Sequence, residues 1–117
     1  LTYKDDLFGT AGNFAKTFEA EYGYAPPYQA AESAAAVQVF ADAFKRAGSF
    51  DPKAVRDALA KTEMQTFYGN IKFDPTGKNI AKPMVLFQVQ DGKYVVVAPT
   101  KWAAAKIEHP TPPWSKR

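Results

Sequence analysis

The chain contains no cysteine, which excludes a disulfide framework and any thiolate metal site. That absence leaves the compartment open, because cysteine-free chains occur on both sides of a bacterial membrane. A single histidine is present, His109. It sits in a proline-rich tail beside Glu108, and metal ligation or proton transfer needs convergent partners that this neighbourhood does not supply. His109 therefore reads as a surface residue. No apolar run approaches the roughly 18 residues that span a bilayer. Leu1 rather than Met stands first, and no basic segment followed by an apolar core opens the chain. The expectation is a processed or truncated polypeptide, with a signal peptide upstream of this chain.

Strong charge is also lacking. Net charge is +3, from 15 basic and 12 acidic residues. The basic residues scatter from Lys4 to Arg117 and are densest at Lys101, Lys106, Lys116 and Arg117. A nucleic-acid interface would gather them in one stripe with aromatics between. An ordinary solvated surface is the first reading. A basic module that binds anionic partners through the Lys101 to Arg117 end is the alternative, and it would lose affinity steeply with salt. Catalytic signatures are missing too. The chain has no nucleophile elbow, no paired-histidine metal motif and no phosphate-cradling glycine loop, Gly9-Thr10-Ala11-Gly12 being too short and isolated. Neither enzymatic activity nor a cofactor or metal is expected.

What is present is a folded protein. Hydrophobic residues make up 46% and charged ones 23%, a balance that disordered chains do not show. Residues 10–22 read as an amphipathic helix, with Thr10 as N-cap, Phe14, Phe18 and Tyr22 at four-residue spacing, and Gly23 as C-cap. Tyr24-Ala25-Pro26-Pro27-Tyr28 cannot be helical, because consecutive prolines force extended backbone. The longest helix covers 29–47 and ends at Gly48. Ala30, Ala34, Val37, Ala41 and Phe44 line one face, and Ala36, Val39, Phe40, Ala43 and Ala47 cover much of the rest. Asp42 and Arg46 can pair across one turn. A helix apolar over so much of its circumference is normally buried on two sides, more than one small domain can cover.

Asp51-Pro52 starts the next helix as N-cap and first helical residue, with Val55, Ala58 and Leu59 facing inward. A strand over 67–73 enters a turn at Asp74-Pro75-Thr76-Gly77. A hairpin comes next, pairing about 83–90 with 93–98 across Asp91-Gly92. Apolar residues on both of its faces predict strands sandwiched rather than edge-exposed. The tail from His109 should be extended, with Trp114 pinning it to the body.

Taken in order, several segments resemble one family. They are Tyr3-Lys4-Asp5-Asp6 with Phe8-Gly9; Glu21-Tyr22-Gly23-Tyr24 with Pro27-Tyr28; Ala30-Ala31-Glu32-Ser33 through Ala47-Gly48-Ser49; Ala54-Val55-Arg56-Asp57-Ala58-Leu59; Phe67 to Asp74 with Gly77; Gln88 to Pro99; and Pro110-Thr111-Pro112-Pro113-Trp114. The series resembles the carboxy-terminal third of type I solute-binding proteins of ABC importers, which take up branched-chain amino acids, amides and aromatic acids. The resemblance implies an α/β fold: a carboxy-terminal fragment of a two-lobed periplasmic binding protein, with about three helices, a strand and a β-hairpin. Residues 1–82 would belong to one lobe with the hinge approach, and 83–117 to the hairpin and proline-rich tail at the lobe junction. It also implies a periplasmic or extracytoplasmic location, a small-molecule solute and the importer's membrane subunits as partners. The apolar helix adds self-association of this chain through residues 30–47. Ala34-Ala35 stands where many amino-acid-binding members carry Tyr-Asp, which weakens the case for a branched-chain amino acid and leaves aromatic acids or other small carboxylates open. A ligand-sensing receptor domain on the same fold reads identically.

Tyr28 is the first ligand candidate, since the family often places an aromatic side chain there and a helix start favours anions. Packing as a capping staple on its own helix is an equal reading. Tyr24 and Pro27 flank it and share its prospects. Phe8 is a further candidate near the hinge, against core packing with Phe14. Phe67 and Tyr68 are candidates for the cleft mouth, with strand packing as the first reading, and Asp5-Asp6 are ordinary turn or cap residues.

Overall fold

The computed structural model describes residues 3–116; Arg117, which the sequence places in the basic end, lies outside the described residues. The chain divides into two compact units, 3–82 and 83–116 among those residues.

The larger unit is α/β, with three helices. It opens on a short antiparallel pair, β1 (Lys4–Asp5) and β2 (Gly9–Thr10). Helix α1 (Ala11–Tyr22) comes after it, and the Thr10 hydroxyl accepts from the Asn13 amide at its start. Helix α2 spans Tyr28–Ala47 and α3 spans Pro52–Ala60. The Asp51 carboxylate accepts from the Ala54 amide, the cap that Asp-Pro announces. Each helix boundary lies where capping chemistry puts it, except that Tyr28 is already helical and Pro27 is the N-cap.

The buried stripe of α2 is a single row. Ala35, Val39 and Ala43 are buried, while Val37, Phe40 and Phe44 are exposed. Several rows of this helix are apolar, so composition does not choose among them. At Ala43 the small side chain lets α3 approach closely, packing with Val55 and Ala58, while one end of the same row, Ala35, packs with Phe14 and Phe67. Arg46 fastens the crossing. Its guanidinium donates to Ala58 O at 2.7 Å and Thr62 Oγ1 at 2.9 Å while pairing with Asp42 at 2.7 Å.

A second core cluster joins Phe14, Ala35 and Phe67, with Phe8 and Phe18 against it. Phe14 and Phe67 stack at 4.4 Å, and Phe8 meets both edge-on. Here the expected strand over 67–73 is corrected. β3 (Glu63–Thr66) pairs with β4 (Gly69–Lys72), and Phe67-Tyr68 form the two-residue turn between them. The Thr66 hydroxyl holds this turn, accepting from the Tyr68 and Gly69 amides and donating to Gly69 O. Glu63-Met64-Gln65 carry no β-branched signature; their strand comes from pairing, including the Lys72–Glu63 ion pair at 2.9 Å. The turn at 74–77 closes as expected, Gly77 donating to Asp74 O at 2.9 Å.

The smaller unit is the hairpin of β5 (Leu86–Gln90) and β6 (Lys93–Ala98). Asp91 and Gly92 have φ of 50° and 72°, the two left-handed residues of a type I′ turn. The first strand begins at Leu86, three residues later than expected. The hairpin is not sandwiched either: Leu86, Phe87, Val89 and Tyr94 are exposed, for within its unit the two-stranded ribbon has no second layer. Glutamines of β5 hold the chain segment beyond β6. Gln88 donates to Glu108 O and accepts from its amide, both at 3.0 Å, and Gln90 donates to Lys106 O at 2.8 Å. These bonds lay the returning chain along β5. Trp114 is 84% exposed, so burial of its ring does not pin the tail.

Candidate functional site

A helix start leaves its first amides without intrahelical partners. At α2 the N-cap is Pro27, which supplies no side-chain cap, and the first turn carries no acidic residue. The positive end of a 20-residue helix therefore stays unneutralised by its own sequence. Tyr28 opens this turn and is 68% exposed. Glu32 lies one turn further along.

The β3–β4 turn brings Tyr68 to the same corner, and the chain beyond β4 brings Lys82. The Lys82 ammonium stands 2.9 Å from the centroid of the Tyr68 ring. Its stem crosses Gly69, where an added Cβ would come 3.0 Å from Lys82 Cδ. Gly69 has φ of 153°, so both backbone angle and close approach call for glycine. Burial pushes the Tyr68 hydroxyl above its ordinary pKa, with Glu32 and then Tyr28 adding to the effect. Burial pushes the Lys82 ammonium below its own, against an opposing pull from Glu32. No ion pair among the described residues engages Glu32 or Lys82.

Glu32 and Tyr68 also stand at the edge of an open concavity of about 870 Å³. Ala35, Val39, Leu59, Ile71 and Phe73 give it an apolar lining. Its size falls within the range of small-molecule sites. The corner can thus present an ammonium, a carboxylate and two phenols beside an apolar trough.

Of the ligand candidates singled out from sequence, Tyr28 acts on this corner, adding with Glu32 to the upward push on Tyr68. Pro27 is exposed at the N-cap. Tyr24 lies edge-on to Phe18 at 5.5 Å, against the end of α1. Phe8 sits among the rings of Phe14 and Phe67 at 5.3 and 5.0 Å. Sequence reasoning missed Glu32 and Lys82. The four-residue spacing from Tyr28 to Glu32 is a usable helical signal. Lys82 has none, because its partner ring lies fourteen residues away in an unexpected turn. Asp5 was also undervalued. Its carboxylate accepts from Leu7 and Phe8 amides on one oxygen, and from the Phe67 amide and Gln38 Nε2 on the other.

A family model described as periplasmic binding protein matches residues 2–93 of the 117.

Proposed function

We propose a function from one premise: the chain belongs to the periplasmic binding protein family. Members of this family bind small molecules outside the cytoplasm and are typically not enzymes. In our reading the chain is the carboxy-terminal part of a type I solute-binding protein that delivers its solute to an ABC importer. The solute is a small amino acid or an aromatic or aliphatic carboxylate. Residues 1–82 contribute to one lobe and 83–117 to the junction of the lobes, and closure of the lobes couples occupancy to docking on the importer's membrane subunits.

The observation that carries the reading is the corner of Tyr28, Glu32, Tyr68 and Lys82 at the uncapped start of α2. Polar groups converging beside an apolar trough are what a small acid or zwitterion requires. The test is a thermal-shift screen of aromatic acids, aliphatic acids and amino acids on the full-length parent polypeptide. A solute at about 100 times its Kd adds about 2.7 kcal/mol, a rise of about 3–4 °C for a chain about three times as long as this one. A panel without any stabilising member sinks the proposal.

The outward side of α2 supports the reading of a part within a larger whole. Val37, Phe40 and Phe44 are exposed, and the Phe50 ring, tilted against Phe44 at 5.1 Å, is itself 83% exposed. Apolar surface of this kind is normally covered by another surface. We expect the isolated 117-residue chain to bind solute weakly and to self-associate through residues 30–47. Its light-scattering mass should rise with concentration and fall back toward 12.9 kDa in the double variant Phe40→Ser, Phe44→Ser. A monodisperse wild-type monomer at high concentration contradicts this.

A further inference from the structure

An exposed lysine ordinarily keeps its ammonium in water and its stem mobile. Lys82 does neither. Its ammonium rests 2.9 Å from the Tyr68 ring centroid, and its stem is seated on the bare backbone of Gly69. An ammonium carries three donors, and a ring face accommodates its charge without accepting conventional hydrogen bonds. Glu32 acts on it electrostatically without forming an ion pair. The charge is thus half-buried, set on a ring face and without an ion-pair partner among the described residues.

We infer that Lys82 is the specificity-determining residue of this corner: held on the Tyr68 face, its ammonium takes the carboxylate of an apolar monocarboxylic acid and rejects the corresponding neutral amide. The inference rests on the solute-binding reading and narrows it. Glu32 opposes a second negative charge, which disfavours dicarboxylates. The apolar body lies along the trough of Ala35, Val39 and Ile71, which shares Glu32 and Tyr68 with the corner. Tyr68 is a positioning residue in this arrangement, and Gly69 leaves the room that seats the lysine stem.

The test uses the full-length parent polypeptide and NMR with 13C-labelled lysine, which detects millimolar affinity. Benzoate and 4-methylpentanoate are titrated to tens of millimolar against benzamide and 4-methylpentanamide at matched ionic strength. The expected result is that both acids move the Lys82 13Cε resonance and raise its titration midpoint, while the amides leave it in place. Acids should bind about tenfold more tightly than amides. Lys82→Arg keeps that preference, read on the Tyr68 and Gly69 amide resonances, and Lys82→Met reduces it to about onefold. Backbone spectra matching wild type show that each variant is folded. Three results overturn the inference: no acid moves Lys82, acids and amides move it equally, or Lys82→Met retains the tenfold preference. An acid that stabilises the full-length parent without touching Lys82 overturns this inference alone. Failure of every acid and amino acid on the parent overturns the reading beneath it.

Discussion

Replacing Phe67 by alanine is expected to lower the stability of the 3–82 unit by about 3–5 kcal/mol. Phe67 is 1% exposed, the most completely buried large side chain among the described residues. It stacks on Phe14 at 4.4 Å and receives Phe8 edge-on at 5.0 Å. Truncation removes the transfer free energy of a whole ring and leaves a cavity under a tight turn. That turn is held by Thr66 and closed by the β3–β4 pairing, so it cannot easily collapse into the space. With total stabilities of small domains at about 5–15 kcal/mol, such a loss approaches unfolding. Urea denaturation followed by far-UV circular dichroism reads the effect directly. Phe67→Leu should recover more than half of it, and Tyr68→Ala, at a half-buried position, should cost less than half as much. Equal losses at 67 and 68 contradict the assignment of Phe67 as the centre of the cluster.

The second large effect belongs to Asp5. Both carboxylate oxygens accept two bonds each, so one side chain ties three separate segments together: 5–8, α2 at Gln38 and the β3–β4 turn at Phe67. Asparagine in either orientation would face its NH2 group toward two N–H donors. Asp5→Asn should therefore cost about 2–3 kcal/mol at pH 7 and loosen the turn that carries Tyr68. A pH signature accompanies the loss. Burial pushes the Asp5 pKa upward, but bonds from the Phe8 and Phe67 amides, Gln38 and the Leu7 amide outweigh it and hold the group below its ordinary value of 3.8. A native pKa below the unfolded one means stability that is complete above the unfolded value and lost as pH falls through the native one. Wild type should therefore steepen its loss of stability below about pH 4, and Asp5→Asn should flatten that limb. Asp57 and Asp74 are also held low, by Arg56 and by the Thr76 hydroxyl respectively, and leave a residual slope. An unchanged acid limb in the variant, measured by urea midpoints at pH 7 and pH 3, contradicts the role given to Asp5.

Both effects arise at places where local sequence misleads. Phe67, Ile71 and Phe73 carry strand-forming side chains, and alternation suggests a strand through all of them. The structure turns the chain at Phe67-Tyr68, because Thr66 supplies the acceptor that such a turn needs and Gly69 tolerates the backbone angle and the approach of Lys82. The opposing strand at 63–66 is nearly featureless in sequence. Asp5 beside Asp6 looks like a turn residue, and two of its four bonds are indeed local. The other two reach Gln38 and Phe67, whose proximity no spacing reveals.

Membership in the periplasmic binding protein family and the proposed corner stand in the same relation to the chain. The ordered series of segments is legible from residues 3 to 114, while the corner is only half legible. Tyr28 and Glu32 share a helix face by spacing; Tyr68 and Lys82 arrive from elsewhere.

The helices and their ends are written in the chain itself. Thr10, Asp51-Pro52, Gly23 and Gly48 act on backbone groups within a few residues, so capping needs no distant partner. The Asp91-Gly92 turn is of the same kind. Folding in three dimensions decided the rest: which apolar row of α2 turns inward, where Phe67 lies, and that a lysine comes to rest on Tyr68. Those outcomes depend on the closeness of α3, on one carboxylate's reach to Phe67 and on the space left at a glycine. Contacts between residues far apart in sequence have no local signature, and here they decide both the core and the corner.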